Sequence, residues 1–226
     1  DYGLSVSSYD KDFGAVIARS RGVADGMSKG VQFLMKKNKI DVIEGYGTLK
    51  PGKKMDVKAA DGKVTEYSAD YIIIATGARS RELPNLPQDG KKVIGYRQAM
   101  TLPQQPKKMI VVGSGAIGVE FASFYNSMGT EVTIIEFLPN VVPVEDEDIS
   151  KQFERSLKKA GITVMTNSSV ERIDTSGNGV KAFVKTSKGE EVIEADILLS
   201  AVGIKTNIEN IGLEAVGIAV DRDKIM

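Results

Sequence analysis

The chain has 226 residues, and its 30 Lys and Arg balance 30 Asp and Glu, so the formal net charge is zero. Nucleic-acid-binding domains usually carry a clear basic excess, and we therefore predict no nucleic-acid partner. The chain contains no cysteine and no histidine, which supply thiolate nucleophiles, the commonest general base and the commonest metal ligands. Thiol, histidine-dependent and zinc chemistry are thus excluded within this chain, and we predict neither a catalytic residue nor a metal site.

No apolar run approaches the roughly 20 residues that cross a membrane, and the first residues lack the basic and apolar segments of a signal peptide. We therefore predict a cytoplasmic chain with no membrane partner. The sequence begins with aspartate rather than methionine, and we expect the natural start to lie elsewhere.

The first part of the chain mixes helical and strand patterns. In order, the apolar spacing predicts a helix over 10–38, a strand over 41–44, a hairpin over 54–59 and 63–67, and a strand over 71–75. Asp10 or Asp12 would cap the helix. The strand over 71–75 is an unbroken apolar run, which is typical of a parallel strand buried on both faces. Four prolines then mark 80–106 as a linker with one short helix near 96–101.

The second part alternates regularly between strand and helix. The predicted elements are a strand over 109–112, a helix over 115–128, a strand over 132–135, a helix over 146–160 with an apolar face of Ile149, Phe153 and Leu157, and a strand over 162–165. This βαβαβ order predicts a parallel, doubly wound sheet. Three short strands follow over 168–194 as an antiparallel meander, and a buried strand at 197–199 returns before Gly203.

Two segments of the sequence resemble each other. Residues 69–77 align with 195–203, and each copy follows a hairpin and ends in Ala-x-Gly. The second copy has a glycine loop 90 residues before Gly203. The corresponding loop for the first copy would fall before residue 1, so the repeat predicts that the front of its first unit lies outside this chain.

The glycine loop runs from Gly113 to Gly118 in the spacing GxGxxG, directly after a strand and at the start of a helix. That context is typical of dinucleotide binding, in which the helix N-terminus binds the pyrophosphate. Gly113 would make the tight turn, Gly115 would admit the pyrophosphate, and Gly118 would let the helix pack on the strand.

A glutamate, Glu136, closes the next strand 18 residues after the loop. A carboxylate at this place accepts hydrogen bonds from the adenosine ribose and repels a 2′-phosphate. Residues 137–144 contain no Lys or Arg, so the sequence favours NAD over NADP. Spacing alone leaves two roles open for Glu120: it reaches the nicotinamide ribose, or its charge only interacts favourably with the helix dipole. For Ile117, the spacing favours a core position over a contact with the nicotinamide.

These residues resemble the dihydrolipoamide dehydrogenases, a family of flavoprotein disulfide reductases with two dinucleotide-binding folds. The resemblance rests on the loop and helix start at 113–120, the strand ending at Glu136, and the acidic segment at 146–149. Residues 75–77 are similar to the family's FAD-side motif, and residues 201–203 to its NAD-side counterpart. A further likeness, to a loop near the FAD adenine, lies at Gly45-Tyr46-Gly47.

The resemblance implies that the intact protein passes electrons from dihydrolipoamide, carried on a lipoylated acyltransferase, through a cysteine pair and FAD to NAD+. By resemblance, the residues that would contact NAD are Gly113, Ser114, Gly115, Ala116, Ile117, Gly118, Val119, Glu120, Glu136, Val170 and Gly203. FAD, in the intact protein only, would contact Gly47, Thr76, Gly77 and Ala78.

The fold implied is α/β: a Rossmann-like NAD-binding domain of three layers, with a parallel sheet and an antiparallel meander, plus the rear part of a related FAD-binding domain. The expected boundaries are 1–80 for the rear part of the FAD-binding domain, 81–208 for the NAD-binding domain, and 209–226 for a segment that returns to the FAD-binding domain.

The sequence also departs from the family. The sequence lacks four features of the family: the first glycine loop, the redox cysteine pair, the second FAD motif and the C-terminal dimerisation domain. After Gly203 the family usually shows Arg and then Pro-Asn, whereas this chain has Ile204-Lys205-Thr206-Asn207. We therefore interpret the chain as an internal fragment of an intact homodimer, inactive alone and binding at most NAD(H).

Two alternatives stay open at this point. One is a related NAD(P)H-dependent flavin reductase or NADH oxidase of the same fold. The other is a non-catalytic NAD-binding or sensor module, although no basic DNA-recognition helix is evident. The sequence leaves the oligomeric state of the fragment open.

Overall fold

The computed structural model describes residues 3 and 5–226. The prediction that no signal peptide begins the chain falls largely on Asp1, Tyr2 and Leu4, which lie outside the described residues. Within the described part, no helix is both long and apolar enough to span a bilayer.

The helices and strands are distributed along the whole described chain. The helices are α1 (Phe13–Lys37), α2 (Tyr96–Ala99), α3 (Ala116–Met128) and α4 (Glu147–Lys159), with a 3-10 turn at Glu214–Val216. The strands are β1 (Tyr46–Lys50), β2 (Lys54–Lys58), β3 (Val64–Ser68), β4 (Ala78–Ser80), β5 (Val93–Ile94), β6 (Lys108–Val112), β7 (Glu131–Ile135), β8 (Thr163–Met165), β9 (Ser169–Asp174), β10 (Val180–Thr186), β11 (Gly189–Ala195), β12 (Ile197–Ser200), β13 (Ile204–Thr206), β14 (Val220–Asp221) and β15 (Lys224–Ile225).

The chain forms two compact units, each built from two segments. Asp1–Val23 and Ser80–Gly203 make the first unit, and Ala24–Arg79 and Ile204–Met226 make the second.

The long helix α1 confirms the predicted helix over 10–38. Of the two predicted caps, Asp12 uses its side chain: its Oδ1 accepts a hydrogen bond of 2.9 Å from the Ala15 N–H. An aspartate at this place satisfies an N–H group that has no carbonyl partner within the helix. Phe13, at the helix start, is buried in the core of the first unit.

The first unit is built on a parallel sheet with the strand order β5-β12-β6-β7-β8. The chain runs from β6 outward through β7 to β8, and later returns to place β12 on the other side of β6. This arrangement confirms the predicted βαβαβ order and the returning strand. The reversal of direction at β6 opens a crevice at the carboxyl ends of the strands, where such sheets bind ligands.

Side chains alternate between the two faces of this sheet and define three layers. Met109 and Val111 of β6 lie in one core cluster with side chains of α3 and α4, including Leu157. Ile110 and Val112 lie in the opposite cluster, with the meander strands β9, β10 and β11. The structure therefore confirms the α/β class with a parallel sheet and an antiparallel meander.

Helix α4 confirms the predicted acidic start and corrects its predicted face. The Asp146 carboxylate accepts hydrogen bonds from the N–H groups of Asp148 and Ile149. Leu157 is buried and Phe153 is half-buried, as predicted. Ile149, however, is 60% exposed, and the buried residue of the first turn is its neighbour Ser150.

The predicted linker over 80–106 contains the short helix α2, as expected, and the unpredicted strand β5. A buried tyrosine, Tyr125 of α3, anchors α2: its hydroxyl donates a hydrogen bond of 2.5 Å to the Ala99 carbonyl. Burial raises the pKa of Tyr125 to about 12. Strand β5 escaped prediction because two residues are too short for a hydrophobic pattern.

The second unit contains an antiparallel sheet with the order β1-β2-β3, which confirms the predicted hairpin over 54–59 and 63–67. Its small core contains Leu49, Ile211 and Leu213. Two-stranded pairs, β4 with β13 and β14 with β15, complete its strands.

Two predicted strands are wrong. Residues 41–44 and 71–75 form neither helix nor strand. Tyr71 and Ile73 are each 90% exposed, although the sequence predicted burial on both faces. A strand requires a neighbour to receive its N–H and carbonyl groups. The repeat copy at 197–200 has β5 and β6 beside it, whereas no described residues form a ladder with 71–75.

Candidate functional site

A cavity of about 610 Å³ lies at the carboxyl ends of β6, β7 and β12 in the first unit. It brings together six of the predicted site residues, Gly113, Ser114, Gly115, Glu136, Val170 and Gly203. Leu83 and Leu86, from the linker, line it as well. The crevice is therefore the one that the reversal of strand order predicts.

The three glycines of the loop meet different surroundings. A Cβ on Gly113, whose φ is +97°, would lie 2.5 Å from the Ala201 carbonyl oxygen. A Cβ on Gly118 would lie 2.0 Å from the Gly113 carbonyl oxygen. A Cβ on Gly115 would meet nothing within 4 Å. Gly113 and Gly118 are thus required by packing, whereas Gly115 leaves open space over the loop.

The open space lies at the N-terminus of α3. Gly115 is the N-cap, and the first helical hydrogen bond runs from the Val119 N–H to the Gly115 carbonyl over 3.1 Å. The N–H groups of the first turn have no carbonyl partner within the helix. The first turn also carries no acidic side chain, so this helix end suits an anion such as a pyrophosphate.

Glu136 follows β7 and is 6% exposed. Its Oε2 accepts hydrogen bonds from the Ser114 N–H at 2.8 Å and the Ser114 hydroxyl at 2.6 Å. Its Oε1 accepts one from the Leu138 N–H at 2.8 Å. Each carboxylate oxygen can accept about two hydrogen bonds, so Oε1 keeps a place for a ligand hydroxyl.

Charge in this cavity comes from Glu136. The other lining residues are apolar or carry neutral polar groups, and none of the residues that line it is Lys or Arg. A 2′-phosphate would therefore meet a carboxylate and no cation here. The absence of Lys and Arg, which the sequence showed for residues 137–144, thus holds for all the residues that line the cavity, and it favours NAD over NADP.

The remaining residues predicted to contact NAD lie in α3. Ile117 packs against the helix-side core, as the spacing favoured. Gly118 and Val119 are buried and Glu120 is exposed. Together with Ala116, they do not line the cavity, and their contacts with a dinucleotide stay predictions.

Residues of the linker also line the cavity, and the sequence analysis did not predict them as site residues. The Asn85 amide donates a hydrogen bond of 2.6 Å to the Val170 carbonyl and so fixes the linker on β9. Leu83 and Leu86 also belong to the meander-side core, where Leu86 is fully buried. No local pattern identifies these residues, because a proline-rich segment predicts only a linker.

The residues predicted to contact FAD lie in the second unit. Gly47 and Thr76 line one cavity of about 470 Å³, whereas Gly77 and Ala78 do not. Gly47 is in strand β1 rather than in the predicted loop. Gly77 adopts a φ of +71° and accepts a hydrogen bond of 2.9 Å from the Asn207 N–H.

Polar residues that the sequence did not suggest support this second cavity. The Asn207 amide donates to the Thr76 carbonyl over 3.1 Å. The Arg79 guanidinium donates to both carboxylate oxygens of Glu209. The Arg79 and Lys205 hydrogen bonds hold the pKa of Glu209 far below its usual range. These residues are far apart in the sequence, and spacing alone does not connect them.

A comparison of the sequence with the profiles of known protein families identifies the family. Residues 5–226 match the sequence profile described as pyridine nucleotide-disulphide oxidoreductase. The chain belongs to this family.

Relatives of this chain include dihydrolipoyl dehydrogenases. Dihydrolipoyl dehydrogenase of Rhizobium etli is 44% identical, over 98% of this chain and 50% of the relative. Its counterpart in Zymomonas mobilis is 42% identical, over 98% of this chain and 48% of the relative. The chain thus spans about half the length of these relatives.

Solved structures share the fold of this chain. LpdA of Mycobacterium tuberculosis has 30% identity and a TM-score of 0.86, over 96% of this chain and 48% of that one. The HOCl-induced flavoprotein disulfide reductase RclA of Escherichia coli has 28% identity and a TM-score of 0.81, over 94% and 48%. Among the described residues of this chain, no cluster of acidic side chains is placed to hold a metal ion.

Proposed function

We propose that residues 81–208, whose parallel sheet and meander lie in the first unit, form the NAD-binding domain of an NAD-linked dihydrolipoyl dehydrogenase. One observation carries the proposal: the open N-terminus of α3 and the carboxylate of Glu136 share a single cavity. One group suits a pyrophosphate and the other suits a ribose diol, and a dinucleotide contains both. The 42–44% identity to dihydrolipoyl dehydrogenases supports the assignment.

The chain's own residues would bind and orient the dinucleotide. The N–H groups at the start of α3 would bind the pyrophosphate over the open face of Gly115. Glu136 Oε1 would accept a hydrogen bond from the adenosine ribose. Gly203, at the end of the returning strand, has no side chain and would therefore let the backbone approach the ligand closely; its φ of +110° also favours glycine there. When bound, NAD+ supplies the hydride acceptor of the reaction.

We propose that residues 1–80 are the rear part of the FAD-binding domain of the same protein, to which the segment 209–226 returns. Its support is the cavity beside Gly47 and Thr76, with Gly77 and Ala78 next along the chain. The full-length protein would be a homodimer that oxidises dihydrolipoamide on a lipoylated acyltransferase, through a cysteine pair and FAD. This chain has no cysteine, so the 226 residues alone would be inactive.

Titration with NADH and NADPH tests the NAD assignment. We expect the wild-type chain to bind NADH more tightly than NADPH. Glu136→Ala should weaken NADH binding by about ten- to a hundredfold, since it removes charge-assisted hydrogen bonds to the ribose. Glu136→Arg should favour NADPH, because a guanidinium pairs with a 2′-phosphate. Equal binding of both cofactors by all three proteins would contradict the ribose role.

Turnover separates this function from its alternatives. The assay uses a full-length protein, as long as its dihydrolipoyl dehydrogenase relatives. It measures the reduction of NAD+ by dihydrolipoamide. Turnover with dihydrolipoamide supports the proposal. Turnover with oxygen or another acceptor alone would favour an NADH oxidase or flavin reductase, and NADH binding without turnover would favour a sensor module.

A further inference from the structure

A serine inside the glycine loop, Ser114, is fully buried, and its polar groups all bind within the protein. Its N–H and its hydroxyl both donate to Glu136 Oε2, at 2.8 and 2.6 Å. Its carbonyl accepts a hydrogen bond of 3.1 Å from the Val142 N–H. Both donors of Ser114 are thus committed to one carboxylate oxygen rather than directed to a ligand.

These bonds fix the carboxylate that lines the cavity. Two donors of Ser114 hold Oε2, and the Leu138 N–H holds Oε1 from another direction. A free glutamate side chain samples several rotamers, and ordering it on binding costs free energy. Glu136 has this cost removed in advance, because the protein already holds it in one orientation.

We propose that Ser114 is a positioning residue for dinucleotide selectivity: its hydroxyl holds the Glu136 carboxylate so that the open acceptor of Oε1 faces the cavity. The inference rests on the proposed NAD-binding function and adds a role to it. Ser114 acts through Glu136 and does not itself contact the dinucleotide.

Selectivity follows from the fixed carboxylate. A ribose 2′-hydroxyl gains a charge-assisted hydrogen bond from a carboxylate that is already in place. A 2′-phosphate meets the same charge at close range, and a held side chain cannot turn away from it. Loosening Glu136 should therefore weaken NADH binding and leave NADPH binding unchanged or slightly improved.

The test is a double-mutant cycle on NADH and NADPH affinity with Ser114→Ala, Glu136→Ala and the double variant. Ser114→Ala should weaken NADH binding about three- to tenfold, in line with one hydrogen bond to a charged group. NADPH binding should change by less than about twofold. In the Glu136→Ala background, Ser114→Ala should change NADH affinity by less than about twofold, because the two residues act as one unit.

Thr130→Val is the matched control for lost stability. Thr130 is a buried hydroxyl of the same unit that donates to the Pro106 carbonyl over 2.8 Å, away from the cavity. Its replacement removes that bond and a longer one of 3.4 Å that the hydroxyl accepts from the Gln105 amide. Both Thr130→Val and Ser114→Ala should therefore lose thermal stability. Only Ser114→Ala should change the ratio of NADH to NADPH affinity.

Each other outcome has a separate meaning. If Ser114→Ala weakens NADH equally with and without Glu136, the serine contacts the ligand or shapes the loop, and the positioning role is wrong. An unchanged NADH affinity in Ser114→Ala also overturns it. A wild-type chain that binds no NADH would instead overturn the proposed function, on which this inference depends.

Discussion

At the scale of single residues, the glycine loop shows how much a motif predicts. The spacing GxGxxG located the turn, the helix start and the cavity correctly. It did not indicate that Gly118 would meet the loop's own Gly113 carbonyl, nor that Ser114 would bind Glu136. Those contacts depend on how the turn closes in three dimensions, which residue spacing does not specify.

Gly115 and Gly118 provide a residue-scale prediction. Gly115→Val should fold, because its φ of −66° and ψ of 178° suit a β-branched residue and its Cβ would meet nothing within 4 Å. The valine should abolish detectable NADH binding by filling the space over the helix end. As the contrast, Gly118→Ala should lower the thermal midpoint strongly, since its Cβ would overlap the Gly113 carbonyl oxygen.

NADH fluorescence titration and circular dichroism melting distinguish the two glycine roles. A Gly115→Val chain that melts near the wild type and still binds NADH normally would contradict the loop assignment.

At the scale of elements, the sequence predicted correctly those helices and strands whose own residues contain capping or hydrophobic signals. Helix α4 has an aspartate cap and an acidic first turn, and the strands β6 and β7 are short apolar runs followed by glycine or glutamate. The run from Tyr71 to Ala75 carries equally strong strand signals, yet it is exposed and unpaired in the described structure. Composition gives a segment a preference for the strand conformation, but a strand forms only where a neighbouring strand pairs with its N–H and carbonyl groups.

The contact of α3 with α2 provides an element-scale prediction. Tyr125→Phe removes the hydrogen bond to the Ala99 carbonyl and should lower the unfolding free energy by about 1 kcal/mol at neutral pH. Burial raises the folded-state pKa of Tyr125 from 10.0 to about 12. A raised pKa stabilises the fold fully below pH 10 and progressively less above it, because the unfolded chain then loses its proton first.

The difference in stability between wild type and Tyr125→Phe should therefore shrink, and then reverse, between pH 10 and 12, by an amount on the order of 2 kcal/mol. Urea unfolding at several pH values measures it. The exposed Tyr71→Phe serves as the control and should leave stability nearly unchanged at each pH. A Tyr125→Phe difference that stays constant with pH would contradict the burial argument.

At the scale of the molecule, the two units differ in how far they bury their apolar residues. The first unit has core clusters on both faces of its sheet, whereas the second has one small cluster. Met27, Val42, Tyr71 and Ile73, all in the second unit, are more than half exposed. The sequence predicted the organisation of the first unit because β6, β7 and β8 follow one another along the chain with helices between them, which gives the regular βαβαβ pattern.

Hydrogen exchange should show this difference directly. Amides 72–75 should exchange within the fastest class, since they have no strand beside them in the described structure. Amides of the repeat copy, 197–200, should exchange slowly, because β12 has neighbours on both sides. Mass spectrometry of peptides covering both segments provides the comparison. Equal protection of the two copies would contradict the structural difference between them.

The cavity that carries one carboxylate and no lysine or arginine also bears on kinetics. Sites for phosphorylated ligands that are lined with cations attract them over distance, and their association rates fall steeply as salt screens the field. Apart from the Glu136 carboxylate, the residues that line this cavity offer a dinucleotide the partial positive charge of a helix end, on a chain whose formal charges cancel. Association would then be governed by unsteered diffusion and by the orientation of the ligand, and selection between cofactors would appear in how long each one stays bound.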